Sequence, residues 1–318
     1  MQLLHSLFGM LCIIGLAWLC SRNRKAFPTR IVLWGLGLQL LIGILLLKTS
    51  CGPKAFNIAQ KMVMKLNDVS QEGAALIFGP LASASQLEAS FGQGNSFIFA
   101  VSITATIIVV GALSSLLYHW GVLQWAVRCM AMIMRKLMGT SGSETLATVA
   151  NCFVGHTEAP LLIKPYIKHM TQSELMALMT GGMATIAGGV LAVYAQFGRA
   201  AGFPELAGHL VTASLMSAPA ALVIAKIMVP ETEKSKHSSE SNLDLQKRSS
   251  NSIDAICHGA KDGGMLALNV MAMVLAFVAL VALLNFILQW PQMRWGVNQP
   301  ISLEVIFGWI NAPFAWLM

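Results

Sequence analysis

Residues 151–160 read Asn151-Cys-Phe-Val-Gly-His-Thr-Glu-Ala-Pro160. They set an imidazole, His156, and a carboxylate, Glu158, in the middle of a chain that otherwise reads as membrane helices. Ionisable groups at membrane depth are costly, so they mark a substrate or ion pathway far more often than they serve as filler. Other acids beside apolar segments, such as Glu144 and Glu174, stand at the edges. Glu158 does not, and its surroundings decide how the chain must fold.

On either side of Val154-Gly155-His156 lie two short arms, Thr140 to Phe153 and Thr157 to Lys168. Helical arms of about 12–14 residues extend only about 18–21 Å, whereas the hydrocarbon core is about 30 Å thick. Each arm therefore passes the middle and turns back. Arg135 and Lys136 precede the arms and Lys164 and Lys168 close them, which agrees with both ends lying in the cytoplasm. The sequence predicts a re-entrant hairpin over about 140–168 with its tip near the midplane. Thr157 can cap the second arm, and Pro160 in its first turn sacrifices no needed N–H. Amides exposed there favour a carboxylate or another acceptor. Carbonyls near Asn151 and Val154, at the end of the first arm, lack helical partners and can bind a cation. Irregular backbone at this depth requires burial in protein or a cavity to line.

Composition agrees. The 318 residues are 56% hydrophobic and 11% charged, with mean hydropathy +0.66, against about 25% charged residues in soluble domains. Apolar runs recur at 3–20, 31–47, 97–118, 175–198, 206–229 and 264–290, each near the roughly 20 residues that span a bilayer. The predicted fold is an all-α polytopic membrane protein with about six transmembrane helices, one re-entrant hairpin and interfacial helices. The first run lacks a basic start and a small-residue cleavage site, so it reads as a span and not as a signal peptide. The six cysteines are scattered with no CxxC pair, which points to neither a disulfide framework nor a zinc site.

The net charge of +7 follows membrane topology and suggests no nucleic-acid partner. An outside N-terminus puts Arg22, Arg24, Lys25, Arg30, Arg128, Arg135, Lys136 and the basic residues of 231–262 in the cytoplasm, as the positive-inside rule favours. The exceptions include Lys54, Lys61 and Lys65, read as a short amphipathic segment at the outer surface. Residues 124–138 alternate basic and apolar faces at helical spacing, as in a helix lying on the inner surface, with its methionines as packing. Four regions result: helices 1–3 with the outer segment (1–120), the interfacial helix, hairpin and helices 4–5 (121–230), a polar cytoplasmic loop (231–262), and helix 6 with the start of an interfacial helix (263–318). Thr180-Gly-Gly-Met-Ala-Thr-Ile-Ala-Gly-Gly-Val190 carries two glycine pairs inside a span. They either form a packing face or permit local unwinding, and an interrupted helix beside an ionisable group is a transporter pattern.

These stretches carry a resemblance. Val154-Gly-His-Thr-Glu-Ala-Pro-Leu-Leu-Ile-Lys-Pro-Tyr166, Met183-Ala-Thr-Ile-Ala-Gly188 and Ala213-Ser-Leu-Met-Ser-Ala-Pro-Ala-Ala221 resemble the concentrative nucleoside transporter family. So do Ser114-Ser-Leu-Leu-Tyr-His-Trp-Gly121 and Pro230-Glu-Thr-Glu-Lys234. The resemblance implies a homotrimeric symporter, not an enzyme, that moves nucleosides inward on a sodium or proton gradient, in the plasma membrane (the inner membrane of a bacterium). It places the nucleobase against Gly155, His156, Thr157, Glu158 and Val190. It places sodium on Asn151, Val154, Thr185 and Ile186, with carbonyls from Val154 and Ile186. No other cofactor is implied.

Two departures bear on this. His156 stands where the family has glutamine: either a tolerated polar swap or a change that tunes base choice and pH dependence. The family's second glutamate motif and its later phenylalanine-alanine-asparagine motif do not occur. The expectation is therefore a truncated chain holding the first part of an inverted-repeat fold. Competing readings are a non-transporting membrane fragment or scaffold and, remotely, an intramembrane hydrolase using His156 and Glu158. The hydrolase would need an activated nucleophile, and no HExxH or GxSxG motif is present.

Overall fold

In lipid the backbone finds no partner outside its own segment, so apolar runs of membrane length become helices. The computed structural model describes residues 2–47, 51–92, 98–153, 155, 159–203, 205–233, 249–294 and 301–317. Every regular element among them is helical. In chain order these are α1 (Gln2–Leu19), α2 (Thr29–Leu47), α3 (Cys51–Phe78), a 3-10 turn (Gly79–Ala82), α4 (Ala84–Phe91) and α5 (Phe99–His119). Then come α6 (Val122–Met138), α7 (Gly142–Asn151), α8 (Ala159–Leu162), α9 (Lys164–Ile167) and α10 (Gln172–Ala184). The rest are α11 (Gly188–Ala200), α12 (Leu206–Met228), α13 (Ser252–Arg294) and α14 (Leu303–Leu317). Three of the described helices are long and apolar enough to cross a membrane: Phe99–His119, Leu206–Met228 and Ser252–Gln292. Phe8–Leu19 and Thr29–Leu45 are shorter apolar stretches.

The chain divides into two compact units. One comprises residues 1–20 and 268–318, in which α14 packs against α1. There the amide of Asn285 donates to the Glu304 carboxylate at 3.2 and 3.3 Å, and its oxygen accepts from Leu303 N at 2.8 Å.

The other unit, residues 21–267, carries the candidate site. Helix α12 runs through it, packed against α2, α3, α7, α10 and α11. A Cβ on Gly35 would overlap the Val223 side chain, so glycine sets how closely α2 approaches α12. Small residues also set the crossing of α5 with the start of α13: a Cβ on Gly111 would stand 2.7 Å from Gly259 O, and one on Gly263 2.9 Å from Ile107 O.

Three elements differ from the sequence expectation. The short segment around Lys54–Lys65 belongs to α3, a helix of 28 residues. Asn67, Ser70 and Ala74 form its buried stripe at helical spacing while Lys61 and Lys65 are exposed. A stripe of small and polar residues lowers the apolar signal of a helix that is nevertheless packed on α2, α5, α11 and α12. Second, the loop expected over 231–262 is helical from Ser252, because Asn251 Oδ1 accepts from Asp254 N at 2.8 Å and caps α13. Residues 234–248 lie outside the described residues. Third, the run at 175–198 is two helices, not one.

The amphipathic segment at 124–138 forms α6. Val127, Ala131, Met134 and Met138 are buried on one face, with Arg128 and Lys136 exposed. Gly139 ends it at φ 76°, a left-handed conformation that glycine adopts without strain.

Candidate functional site

Helix α7 starts with a capping box: Glu144 Oε1 accepts from Ser141 N at 2.7 Å, and the Ser141 side chain faces the N3 amide. All ten of its residues are buried. Bonds from Cys152 N to Val149 O (3.1 Å) and Phe153 N to Ala150 O (3.0 Å) tighten its last turn and end it. The chain then turns at Gly155, φ 108°, whose carbonyl accepts from Ala159 N at 2.9 Å.

The second arm is not continuous. It consists of two four-residue helices, α8 and α9, separated by Ile163 at φ −109°, ψ 12°. Pro165 has no N–H to extend the ladder, which accounts for the interruption. The first arm is shorter than expected as well, with 10 residues, or about 15 Å.

Helix α10 also begins with a capping box, Thr171 Oγ1 accepting from Glu174 N and Glu174 Oε2 from Thr171 N. It stops at Ala184. Thr185 (φ −113°, ψ 149°) and Ala187 (φ −61°, ψ 146°) are extended, and α11 starts at Gly188. Of the two readings open for the glycine-rich stretch, interruption is the one that occurs, and it frees carbonyls at the end of α10 and amides at the start of α11.

The interruption lies against the turn that follows α7. Gly188 N donates to Phe153 O at 3.3 Å, and a Cβ there would stand 3.0 Å from that oxygen. A Cβ on Gly155 would come within 2.9 Å of Ala187 Cβ. From α12, the Ser214 hydroxyl lies 3.5 Å from both Cys152 O and Ile186 O, while Cys152 Sγ donates to Ser214 O at 3.2 Å. Two helix ends and the middle of a third thus meet at one junction.

At this junction Asn151 is 0% exposed, and neither its Oδ1 nor its Nδ2 has a hydrogen-bond partner. A buried amide left unpaired costs about 1–3 kcal/mol, which makes Asn151 a candidate to hold a group that protein atoms do not supply. Thr185 Oγ1 donates to Gly181 O at 2.8 Å, which spends its proton and leaves its lone pairs available. With the Ile186 carbonyl, the junction offers amide, hydroxyl and carbonyl oxygens, the donor set of a hard monovalent cation. Among the described residues no group of three or more His, Cys, Asp or Glu is placed to hold a metal ion.

Of the residues singled out in the sequence, Asn151, Gly155, Thr185 and Ile186 gather here. Val190 follows in the first turn of α11 and is half-buried. Val154, His156, Thr157 and Glu158 lie outside the described residues.

A second polar centre was missed. Lys226 near the end of α12 is 2% exposed, and its ammonium pairs with Glu144 Oε2 at 2.7 Å. It also donates to Ser173 Oγ at 2.9 Å and reaches Glu231 Oε2 at 3.2 Å. The capping signatures Ser141-x-x-Glu144 and Thr171-x-x-Glu174 were available in the sequence. Nothing local tied either to Lys226.

Comparison with known proteins matches this organisation. Family models described as the N-terminus of Na+ dependent nucleoside transporters, nucleoside recognition, and the C-terminus of Na+ dependent nucleoside transporters match residues 8–81, 100–201 and 209–318. An uncharacterized transporter of Haemophilus influenzae is 40% identical over 318 residues, 100% of this chain and 73% of that protein. Solute carrier family 28 member 3 of Rattus norvegicus is 36% identical over 318 residues, which make up 42% of its own length. The solved structure of CNTnw in an inward-facing substrate-bound state aligns over 100% of this chain and 72% of that one, with TM-score 0.89 and 37% identity. A CNTnw variant in an intermediate state gives TM-score 0.90 at 38% identity, over 100% of this chain and 74% of that one. With all of its length matched and its helices superposed on those of a solved member, this multi-pass membrane protein belongs to the concentrative nucleoside transporter family.

Proposed function

We propose that the protein is a nucleoside:sodium symporter that carries nucleosides inward across the plasma membrane, the inner membrane in a bacterium. The observation that carries this reading is Asn151: a fully buried amide with both polar atoms unpartnered, at a junction of two interrupted helices. Sodium binds the Asn151 side chain, the Thr185 hydroxyl and the carbonyls of Val154 and Ile186. The nucleobase lies against Gly155, His156, Thr157, Glu158 and Val190. Coupling follows from adjacency: the tip that presents base contacts to the substrate also closes the cation's cage, so filling one site orders the other. Relatives support the substrate and the ion, among them Sodium/nucleoside cotransporter 2 of Mus musculus, 36% identical over 316 residues.

Residues 140–168 act as a re-entrant hairpin. In support, the network around Lys226 joins Glu144, at the start of the first arm, to Thr171 and Ser173, just past the second. The chain therefore leaves one end of the unit and returns to it. Residues 121–230 form half of an inverted-repeat transport core, and residues 1–120 precede it with three transmembrane helices. The protein works as a homotrimer, crosses the membrane about six times within this chain and has its N-terminus outside.

The test is uptake of radiolabelled uridine, with and without sodium, by cells expressing the complete reading frame. Sodium-stimulated uptake is expected in the parent and is abolished in Glu158→Gln, which keeps shape but removes the midplane charge. Uptake indifferent to sodium, or a fully active Glu158→Gln protein, overturns the reading.

A further inference from the structure

The ammonium of Lys226 meets oxygens on three different segments, forming an ion pair with one and hydrogen bonds to the other two. Glu144 Oε2 belongs to α7 (2.7 Å), Ser173 Oγ to α10 (2.9 Å), and Glu231 Oε2 to the stretch after α12 (3.2 Å). Each acceptor is fixed in turn. Glu144 spends its other oxygen on Ser141 N (2.7 Å), and Ser173 Oγ donates to Val229 O (2.6 Å). Glu231 Oε2 also accepts from Thr171 Oγ1 (2.9 Å), whose own lone pair receives Glu174 N (3.2 Å). Apart from the Lys226–Glu144 ion pair, the hydrogen-bond directions in this cluster are mutually consistent.

Helical propensity does not ask for a lysine this deep, and burying its charge is expensive. Its place relative to the junction explains it. Glu144 lies seven residues before Asn151 on one unbroken helix, about 10.5 Å along the axis, and Ser173 lies twelve residues before Thr185, about 18 Å. Between these ends α7 and α10 touch closely: a Cβ on Gly181 would stand 3.0 Å from Thr148 Cγ2. A packed helix pair transmits an axial slip at one end to the other. From this geometry we infer that Lys226 is a positioning residue for the cation site: it sets the register of α7 and α10 on α12, and so the spacing of Asn151 and Thr185.

This inference rests on the sodium site proposed above, so its test carries one readout that needs no transport. The variants are Lys226→Met and the double substitution Glu144→Gln/Lys226→Met. The double variant leaves neither member of the buried pair as an unpaired charge, so it regains thermal stability while still lacking the three-way link. Half-maximal sodium concentration for uptake is expected to rise at least about fivefold in both, the lower end of ordinary coupling between sites. The nucleoside KM at saturating sodium stays within about twofold, because the base contacts sit on other residues. In protein keeping Cys152 as its only cysteine, maleimide labelling of this buried thiol is expected to quicken at least about tenfold in both variants, as the end of α7 leaves Ser214. A purely structural role predicts the opposite for the double variant: with stability restored, sodium activation and labelling return to parental values, and that result overturns the inference. So does a folded Lys226→Met protein that behaves as the parent. If the parent shows no sodium-stimulated uptake, the functional reading fails by itself, and Cys152 labelling decides the role of Lys226.

Discussion

Asn151 makes a prediction that separates binding from stability. Its amide is fully buried without a partner, so Asn151→Leu removes a desolvated polar group and is expected to leave sodium-free stability unchanged or raised. A ligand at ten times its Kd stabilises a site by about 1.4 kcal/mol, and the variant loses that increment. Thermal unfolding with and without sodium checks both halves; a sodium-dependent Tm retained in Asn151→Leu removes this residue from the site. On the proposed sodium site, Thr185→Ala is expected to shift the sodium activation curve to higher concentration and Thr185→Ser, which keeps the hydroxyl, to leave it near the parent; an unshifted curve in Thr185→Ala removes this hydroxyl from the site. If His156 faces the base as proposed, His156→Gln is expected to flatten the pH dependence of uptake between about pH 5.5 and 7.5, where an imidazole titrates and an amide does not; superimposable pH curves refute it. At this scale Asn151 was singled out by its place at the end of the first arm, while Thr185 and Ile186 entered through the family resemblance alone. By charge counting alone, a lysine near the end of an apolar helix, as Lys226 is, suits an inner-face anchor and gives no sign of a buried pair. Its partner Glu144 is far away in sequence, and pairing at that range leaves no local pattern.

Helices α7, α10 and α11 matter for where they stop. The glycine pairs flanking Thr185-Ile186-Ala187 foretold that interruption was available, but an isolated sequence cannot choose it over a packing face. The choice is made by tertiary partners: the turn at Gly155 fills the gap, and Gly188 N finds Phe153 O. Gly155→Ala tests this directly. Its φ of 108° is costly for any residue with a Cβ, and that atom would meet Ala187 at 2.9 Å. A loss of about 1–3 kcal/mol is expected, with a weaker sodium response because the interruption and the turn no longer close together. Thermal unfolding and sodium activation of the variant measure the two effects, and parental values in both count against the junction. The start of α13 shows the converse error. Asn251 and Asp254 form a local cap that outweighs the polar composition of the residues after it, so averaging composition over 231–262 concealed a helix.

For the whole molecule, hydropathy located α1, α2, α5 and α12 almost to their ends, and α13 over its apolar part alone, because burial in lipid imposes a length as well as a composition. It failed for α3, whose buried stripe of Asn67, Ser70 and Ala74 faces other helices and so needs no apolar average. The exposed apolar surface of α13, with Leu275 at 73% and Phe277 at 66%, suits a lipid-facing flank. Orientation is the remaining global variable, and basic residues bias it. Arg22, Glu144, Thr171, Lys226 and Glu231 share one end of residues 21–267, Arg22 N donating to Met228 O at 2.8 Å. The neighbouring sequence includes Arg24, Lys25, Lys234, Lys236, Lys247 and Arg248. In the proposed orientation the positive-inside rule turns that end to the cytoplasm, and the proposed hairpin would then present its tip to nucleoside arriving from outside. In a cysteine-free background, Ser239→Cys is then expected to resist a membrane-impermeant maleimide in intact cells and to react after permeabilisation, while Ser50→Cys reacts without it. The inverse pattern would place the N-terminus inside, expose the Lys226 end to the exterior, and require the sodium gradient to act on the junction from the opposite face.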